Sequence, residues 1–336
     1  MLECWRAGLS SVSVDLNPVA LAISRAKATR VDADLVGLRI SDLRRSFDGD
    51  LGRLGEVPDA IKIFFHERTL AQMCFLREVL DERAEDVFIR GCVLGIMHGK
   101  WRGDGTSMYL SIDMPNTFSM SPGYVQKFVA QRGLEKRPTD VFSALAERVQ
   151  WLLRDALPEN GTRHQVLDGD AGRIADVLRL AGVTSIDGVI TSPPYMHVLR
   201  YGAFNWIRLW FEGYSAEEVD SRLQSSGSLD RYLNFILNFL SSLAEVLKPG
   251  GKVALVIGDI EKGGRKCDLA EAVWSCLAGV VPYDLEEKAL DSFDQSVKTT
   301  RIWGESRRGR ATPRDRILVL SRSGAAASRR TSVGCG

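Results

Sequence analysis

The sequence predicts an α/β fold, an open sheet interrupted by a mostly helical insertion. Three observations carry that expectation. Residues 186–195, IDGVITSPPY, are an apolar strand that runs straight into a proline-rich turn. Residues 11–28, SVSVDLNPVALAISRAKA, read as a short strand ending in Asp15, then a helix with Pro18 near its start; proline is tolerated in the first helical turn. Residues 232–259 hold an apolar-periodic helix, then LKPGG as its stop, then VALVIGD as a buried strand. Glycine just past a helix, with proline beside it, is a stop signal.

The turn after strand 186–191 is chemically the most specific of these. Neither Pro193 nor Pro194 has an N–H, and each fixes its own φ. Each also pushes the preceding residue out of the helical region. The corner is therefore stiff and rich in acceptors. Ser192 Oγ and the Pro193 carbonyl can both accept hydrogen bonds from one exocyclic amino group. Tyr195 can stack on a flat base, a contact worth roughly 1–3 kcal/mol in single-stranded nucleic-acid binders. In open α/β sheets, ligands bind outside the carboxyl ends of the strands. A bare Ser-Pro-Pro would be a proline-terminated strand and no more; the strand before it and the tyrosine after it mark a candidate site.

Thr191–Tyr195, TSPPY, resembles the catalytic motif of the amino-group DNA methyltransferases, which methylate cytosine at N4 or adenine at N6 using S-adenosylmethionine. The resemblance implies a Rossmann-like methyltransferase sheet, with Ser192, Pro193, Pro194 and Tyr195 as the catalytic set. Members with serine before the two prolines lean towards cytosine, so Ser192 favours cytosine N4 over adenine N6. Asp-Leu-Asn-Pro at 15–18 is similar to the family's cofactor-ribose motif, and an acidic residue ending the second strand binds ribose hydroxyls in nucleotide-binding α/β folds. Asp15 is thus the expected ribose ligand, with Asn17 beside it. Residues 163–171, RHQVLDGDA, read as a strand followed by Gly-Asp-Ala. Asp170 matches the family's acceptor for the cofactor's adenine amino group; Asp168 ranks behind it. A plain turn aspartate beside glycine is the other reading of Asp170. Thr191 completes the expected cofactor contacts. LKPGG recurs widely in Rossmann-like methyltransferases before the fifth strand. Asp259 and the Gly-rich run 261–265 would then sit near the target base, or form a surface loop. The resemblance covers residues 2–27 and 163–320.

What the resemblance implies chemically is restrained. The amino nitrogen of cytosine or adenine is a poor nucleophile because its lone pair is conjugated with the ring. Hydrogen bonds to its two hydrogens turn it towards a pyramidal, nucleophilic geometry. The expected reaction is in-line displacement at the sulfonium methyl, with catalysis by positioning and electrostatic support. The proton leaves easily after methylation, so His197 is not needed as a base. A base inside duplex DNA is out of reach and has to be flipped out. Arg200 and Tyr201, ahead of an apolar helix at 206–211, line that pocket or hold the flipped nucleotide; packing at a helix start is the alternative. Net charge is +1, so DNA contacts depend on local basic clusters. The best is 301–316, with Arg307, Arg308 and Arg310. It precedes an apolar strand at 317–320 and reads as a phosphate-gripping loop or as a solvated basic loop.

Between the second and third strands lies an insertion, residues 30–159. Loops beyond about 12–15 residues need structure of their own. Helical spacing of apolar residues predicts helices at 69–83 and 85–98. Residues 107–113 alternate like a short strand. A helix at 121–132 starts with Ser121 as cap and Pro122 in the first turn. A longer amphipathic helix is expected at 139–157. This insertion is read as the target-recognition subdomain; its segment 111–124, SIDMPNTFSMSPGY, reads a base edge or serves as a structured connector. The domain plan is therefore 1–29 as the start of the methyltransferase domain, 30–159 as the insertion, 160–320 as the rest of the domain, and 321–336 as a disordered tail.

One part is missing from the pattern. No strand and no Gly-x-Gly precede Asp15, and the opening MLECWRAG resembles the helix that follows the family's Gly-rich turn. The expectation is a chain that begins just after its cofactor loop, through a late start, a truncation, or a complementing subunit. It also lacks a central strand, which leaves an exposed sheet edge, an association liability. Six cysteines show no Cys-x-x-Cys pair, and four histidines make no ligand spacing with them. Reduced thiols, no structural metal and a cytoplasmic location follow as expectations. No apolar run approaches about 18 residues, the length read as a membrane span, and no signal peptide is read at the start. Double-stranded DNA is the expected partner, with a restriction endonuclease as a possible companion. The competing functions are an RNA or protein amino-group methyltransferase, and an inactive remnant or subunit of a split enzyme.

Overall fold

A computed structural model describes residues 1–102, 105–155, 157–194, 201–223, 228–258, 260–262, 265–292 and 314–324; the side chains of 260–262, 265–267, 292 and 314 are not described. The protein is a mixed α/β fold. In chain order the first elements are α1 (Leu2–Arg6), β1 (Ser11–Asp15), α2 (Pro18–Ala28), α3 (Ala33–Ser46), α4 (Asp59–Lys62), α5 (Glu67–Val79), α6 (Ala84–Ile96), α7 (Pro122–Arg132), α8 (Val141–Leu152) and β2 (His164–Asp168). There follow α9 (Ile174–Leu180), β3 (Ile186–Thr191), α10 (Tyr201–Glu212), α11 (Ala216–Arg222), α12 (Leu229–Leu243), β4 (Leu247–Gly258), β5 (Ile260–Lys262), β6 (Arg265–Cys267), α13 (Leu269–Leu277), β7 (Tyr283–Ser292) and β8 (Arg314–Arg322). The chain divides into two compact units: one of residues 1–168 with 200–223, the other of 169–199 with 224–336.

In the first unit β1 and β2 pair in parallel, Ser11 opposite His164 through Asp15 opposite Asp168. The insertion folds as helices that pack on one another, on α2 and on α10. Ala22 of α2, Ile40 and Leu43 of α3, Met73 of α5, Ile89 of α6 and Leu145 of α8 share one core with Ile207 and Phe211 of α10. Removing such side chains from water contributes about 1.5–3 kcal/mol each. Helices α2 and α6 touch so closely that a Cβ on Gly91 would lie 2.3 Å from the Ala26 Cβ; any larger residue forces them apart.

In the second unit β3 pairs in parallel with β4, β4 antiparallel with β8, and β8 antiparallel with β7. Val253, Leu255 and Ile257 of β4 and Leu318 and Leu320 of β8 are buried with α12 and α13 residues such as Ile236, Leu240 and Val273. Among the described residues β3 has a partner on one side only. Ile190 on that edge strand is 84% exposed and Leu180 on α9 is 89% exposed. Strands of parallel sheets are normally covered on both faces.

Several sequence expectations are corrected here. Residues 107–113 form no strand. Leu110 and Ile112 are buried, but so is Ser111 between them, so burial does not alternate. Among the described residues no strand lies beside them, and the backbone N–H groups of Leu110, Ile112 and Met114 go singly to Ile96, Phe64 and Gly99. LKPGG does not stop a helix: α12 ends at Leu243, and Leu247 already pairs with Ile186. Pro249, Gly250 and Gly251 instead bulge inside β4, where the register slips between Ile186 and Gly188. Gly250 takes φ +77°, and a Cβ on Gly251 would sit 2.8 Å from the Lys248 carbonyl, so the bulge itself requires both glycines. The helix expected at 139–157 starts after Asp140, whose carboxylate accepts from Ser143 N–H, and ends at Leu152; Pro158 disfavours a helical Leu157. Ser121 precedes α7 but its side chain makes no capping bond. The helix read at 206–211 begins at Tyr201. Ser321 and Arg322 belong to β8 rather than to a tail.

Candidate functional site

The carboxyl ends of β1 and β2 hold the candidate site residues Asp15 and Asn17, with Asp168 opposite. Asp15 ends β1; its Oδ1 accepts from the Asn17 N–H at 2.8 Å. Asn17 is buried and caps α2, its side-chain oxygen accepting from Val19 N–H at 3.0 Å. The Asp-x-Asn-Pro spacing thus folds as a local turn: the aspartate orders the loop, the asparagine starts the helix, and Pro18 takes the first helical position. Burial pushes the Asp15 carboxyl above the usual carboxylate range; the Asn17 and Leu16 amides pull the other way, and the Asp168 charge adds to the rise.

Tyr201 lies in the first turn of α10, near Asp15. Burial, then the Asp15 charge, raises its phenol above the ordinary value. The start of α10 is fixed by α11. Gly202 N–H donates to Asp220 Oδ1 at 2.7 Å and Ala203 N–H to Asp220 Oδ2 at 3.3 Å. A carboxylate at a helix N-terminus satisfies orphan donors and complements the dipole. Contact is tight: a Cβ on Gly202 would lie 2.2 Å from the Ala216 carbonyl oxygen. Asp168, opposite Asp15, faces Arg222 of α11 at 3.6 Å.

In the second unit, Thr191 ends β3 opposite Leu255. The turn that follows presents Ser192 to solvent, buries Pro193 and half-buries Pro194. Asp170 heads a short 3₁₀ turn at 171–173, its Oδ1 accepting from Gly172 N–H at 2.8 Å. That is the capping role of a turn aspartate, and it leaves the second oxygen for another donor.

The sequence-predicted residues are thus distributed as follows. Asp15, Asn17 and Tyr201 come together at one strand end of the first unit. Thr191, Ser192, Pro193 and Pro194 share one corner of the second, and Asp170 opens its first helical turn. Tyr195, His197, Arg200, Asp259, Arg307, Arg308 and Arg310 lie outside the described residues. Sequence reasoning passed over Asp220 and Arg222, and placed Asp168, which stands opposite Asp15, behind Asp170. The repeated Val-Asp and Leu-Asp strand endings were the available signal for Asp168; nothing local marked Asp220. Among the described residues no three His, Cys, Asp or Glu side chains gather as a metal site, and no helix is long and apolar enough to cross a membrane.

No family model matches the sequence, and no curated protein matches it. Solved structures with some likeness include three of a "Putative DNA Modification Methylase" from Thermus thermophilus. The selenomethionine derivative is 18% identical, with 49% of this chain and 54% of that one covered, at a TM-score of 0.26. A second structure is 18% identical, covering 49% and 55%, at 0.27; the form complexed with S-adenosyl-L-methionine is 18% identical, covering 49% and 54%, at 0.28. The chain spans about half the length of these structures. A likeness at this level decides neither the activity nor the ligands of this chain.

Proposed function

We propose that this protein is an S-adenosylmethionine-dependent DNA methyltransferase of Rossmann-like design, acting on the exocyclic amino group of a flipped base, with cytosine N4 favoured over adenine N6. The observation that carries the reading is the Thr191–Pro194 corner. A TSPPY motif stands at the carboxyl end of a strand of a parallel pair, with its serine in solvent and its first proline anchored in the interior. A buried proline holds the corner, and an exposed hydroxyl is free to engage a ligand.

In this reading Ser192 Oγ and the Pro193 carbonyl accept the two hydrogens of the base's amino group. That removes its conjugation with the ring and aims its lone pair. Tyr195 stacks on the base face. S-adenosylmethionine, when bound, supplies the sulfonium methyl group that the nitrogen takes up as it loses a proton to solvent. Asp15 accepts from the ribose hydroxyls; a partly buried carboxylate ordered by the Asn17 amide suits a diol donor. Asp170 accepts from the adenine amino group, and Thr191 lies beside it in the cofactor set. Arg200 and Tyr201 hold the flipped nucleotide, and Arg307, Arg308 and Arg310 grip phosphates. The segment 30–159 serves as target recognition, and the remainder as the methyltransferase domain.

Methyl transfer from radiolabelled S-adenosylmethionine to duplex DNA, with transfer RNA in parallel, tests this. Mass spectrometry of digested product should show N4-methylcytosine. N6-methyladenine would move the target base; label only in RNA, or none in either polymer, would overturn the DNA assignment.

A further inference from the structure

The insertion carries cationic and aromatic side chains in one neighbourhood. Residues 100–154 hold eight lysines and arginines against five aspartates and glutamates, in a chain of net charge +1. On this stretch arginines lie over tryptophans: Arg137 stands 5.0 Å from the Trp101 ring centroid, Arg148 4.7 Å and Arg154 5.6 Å from that of Trp151. The parts are linked. Arg102 Nη2 donates to Glu147 Oε1 of α8 at 2.9 Å, one turn before Trp151. Arg137 Nη1 donates to the Gly105 carbonyl at 3.3 Å, in the same loop as Trp101.

Trp151 is 48% exposed. A tryptophan on the solvent side of an amphipathic helix contributes little to the core, and its ring lies near the Arg148 and Arg154 guanidiniums. Such rings are preorganised stacking plates, and the guanidiniums keep N–H groups for phosphate oxygens. Cations with interleaved aromatics are what a polyanion with planar bases requires. Acidic protein surfaces would use the cations but not the plates.

Resting on the DNA reading above, we propose that Arg137, Trp151 and Arg154, with Arg102 and Arg148 beside them, form the surface on which the insertion engages duplex DNA. Arg137 and Arg154 contact phosphates and Trp151 packs against a sugar or an exposed base edge. The test uses the full chain, a fluorescein-labelled 20-base-pair duplex and no cofactor, read by anisotropy over a salt series. Each lost phosphate contact should lower the slope of log K against log salt by about 0.9. The Arg137→Ala/Arg154→Ala double variant is expected to bind roughly tenfold more weakly at 0.1 M salt, with a slope shallower by about two. Trp151→Ala should weaken binding about threefold or more at unchanged slope, because an apolar ring contact releases no counterions. Thermal melts check folding; both arginines and the tryptophan are exposed, so Tm should stay within a few degrees.

Wild-type affinity and slope in these variants would overturn this surface alone. Equal displacement of the duplex by polyglutamate of matched charge would overturn it as well, in favour of an acidic protein partner. Absence of duplex binding by the wild type would overturn both this surface and the DNA reading. Duplex binding lost in the variants, in a protein that transfers no methyl group, would support the surface and sink only the activity.

Discussion

Asp15 and Asp168 stand directly opposite one another, the last residues of two parallel strands. Burial raises the Asp15 carboxyl above its ordinary pKa, and the facing Asp168 charge adds to the rise. Its folded pKa lies above the unfolded value of about 3.9. The contribution to stability is therefore fully present below that unfolded value and is lost as pH rises through the folded one.

Asp15→Asn is accordingly expected to raise Tm at neutral pH, and the advantage should shrink as pH falls towards the unfolded value of about 3.9. Isothermal calorimetry on the same variant should show S-adenosylmethionine binding weakened tenfold or more, since hydrogen bonds to a charged acceptor are worth about 1.5–3 kcal/mol. A variant that melts lower at neutral pH, or binds the cofactor as well as wild type does, contradicts the role given to Asp15.

Ser192 and Pro193 should separate chemistry from stability. Ser192→Ala removes an exposed hydroxyl; turnover is expected to fall by about tenfold or more while Tm stays unchanged. Pro193→Ala empties part of a buried corner and frees the backbone, so Tm and turnover should fall together. Tyr195→Ala should lower turnover far more than Tm. Steady-state methylation and scanning fluorimetry on the three variants decide it; equal loss of folding in all three would make the corner structural.

His98 is fully buried against Phe64, and neither of its ring nitrogens completes a hydrogen bond among the described residues. Burial first, then the nearby Arg208 charge, pushes its pKa down to about 3, with the Phe118 backbone opposing. A histidine depressed in the folded state contributes stability above its unfolded pKa of about 6.5, and loses it as pH falls towards the folded value. The loss by pH 5 is about 2 kcal/mol. His98→Leu is expected to flatten the fall in Tm between pH 7.5 and 5. An unchanged acid slope would mean that other groups set it.

Ile190, on the one-sided strand β3, is apolar and almost fully exposed. The opposite edge of the same sheet, β7, carries Glu286, Glu287, Lys288 and Asp291, which protect an edge from unwanted pairing. Ile190→Lys should reduce concentration-dependent association in sedimentation velocity with little change in Tm. Greater association, or a large drop in Tm, would show that Ile190 is part of a packed face.

Local chemistry made part of this legible in the sequence. The strand into Thr191 and the stiff proline corner follow from φ restraint and missing N–H groups. The Asp15–Pro18 loop follows from capping, the helices around 70, 90 and 145 from apolar spacing, and the helix around 125 from Pro122 in its first turn. These features depend on neighbours a few residues away. Burial of Leu110 and Ile112 was legible too, but not that of Ser111, nor that the segment would lie beside helices rather than in a sheet.

The pairing of Asp15 with Asp168, the hold of Asp220 on the first turn of α10, the bulge at Gly250 and strand β7 were decided by tertiary structure alone. Each joins residues far apart in sequence, or depends on which strand lies alongside. Register and close approach are set when distant segments bury shared apolar surface. A polar residue is then placed by where its backbone is carried, and no spacing rule reports that from one stretch of chain.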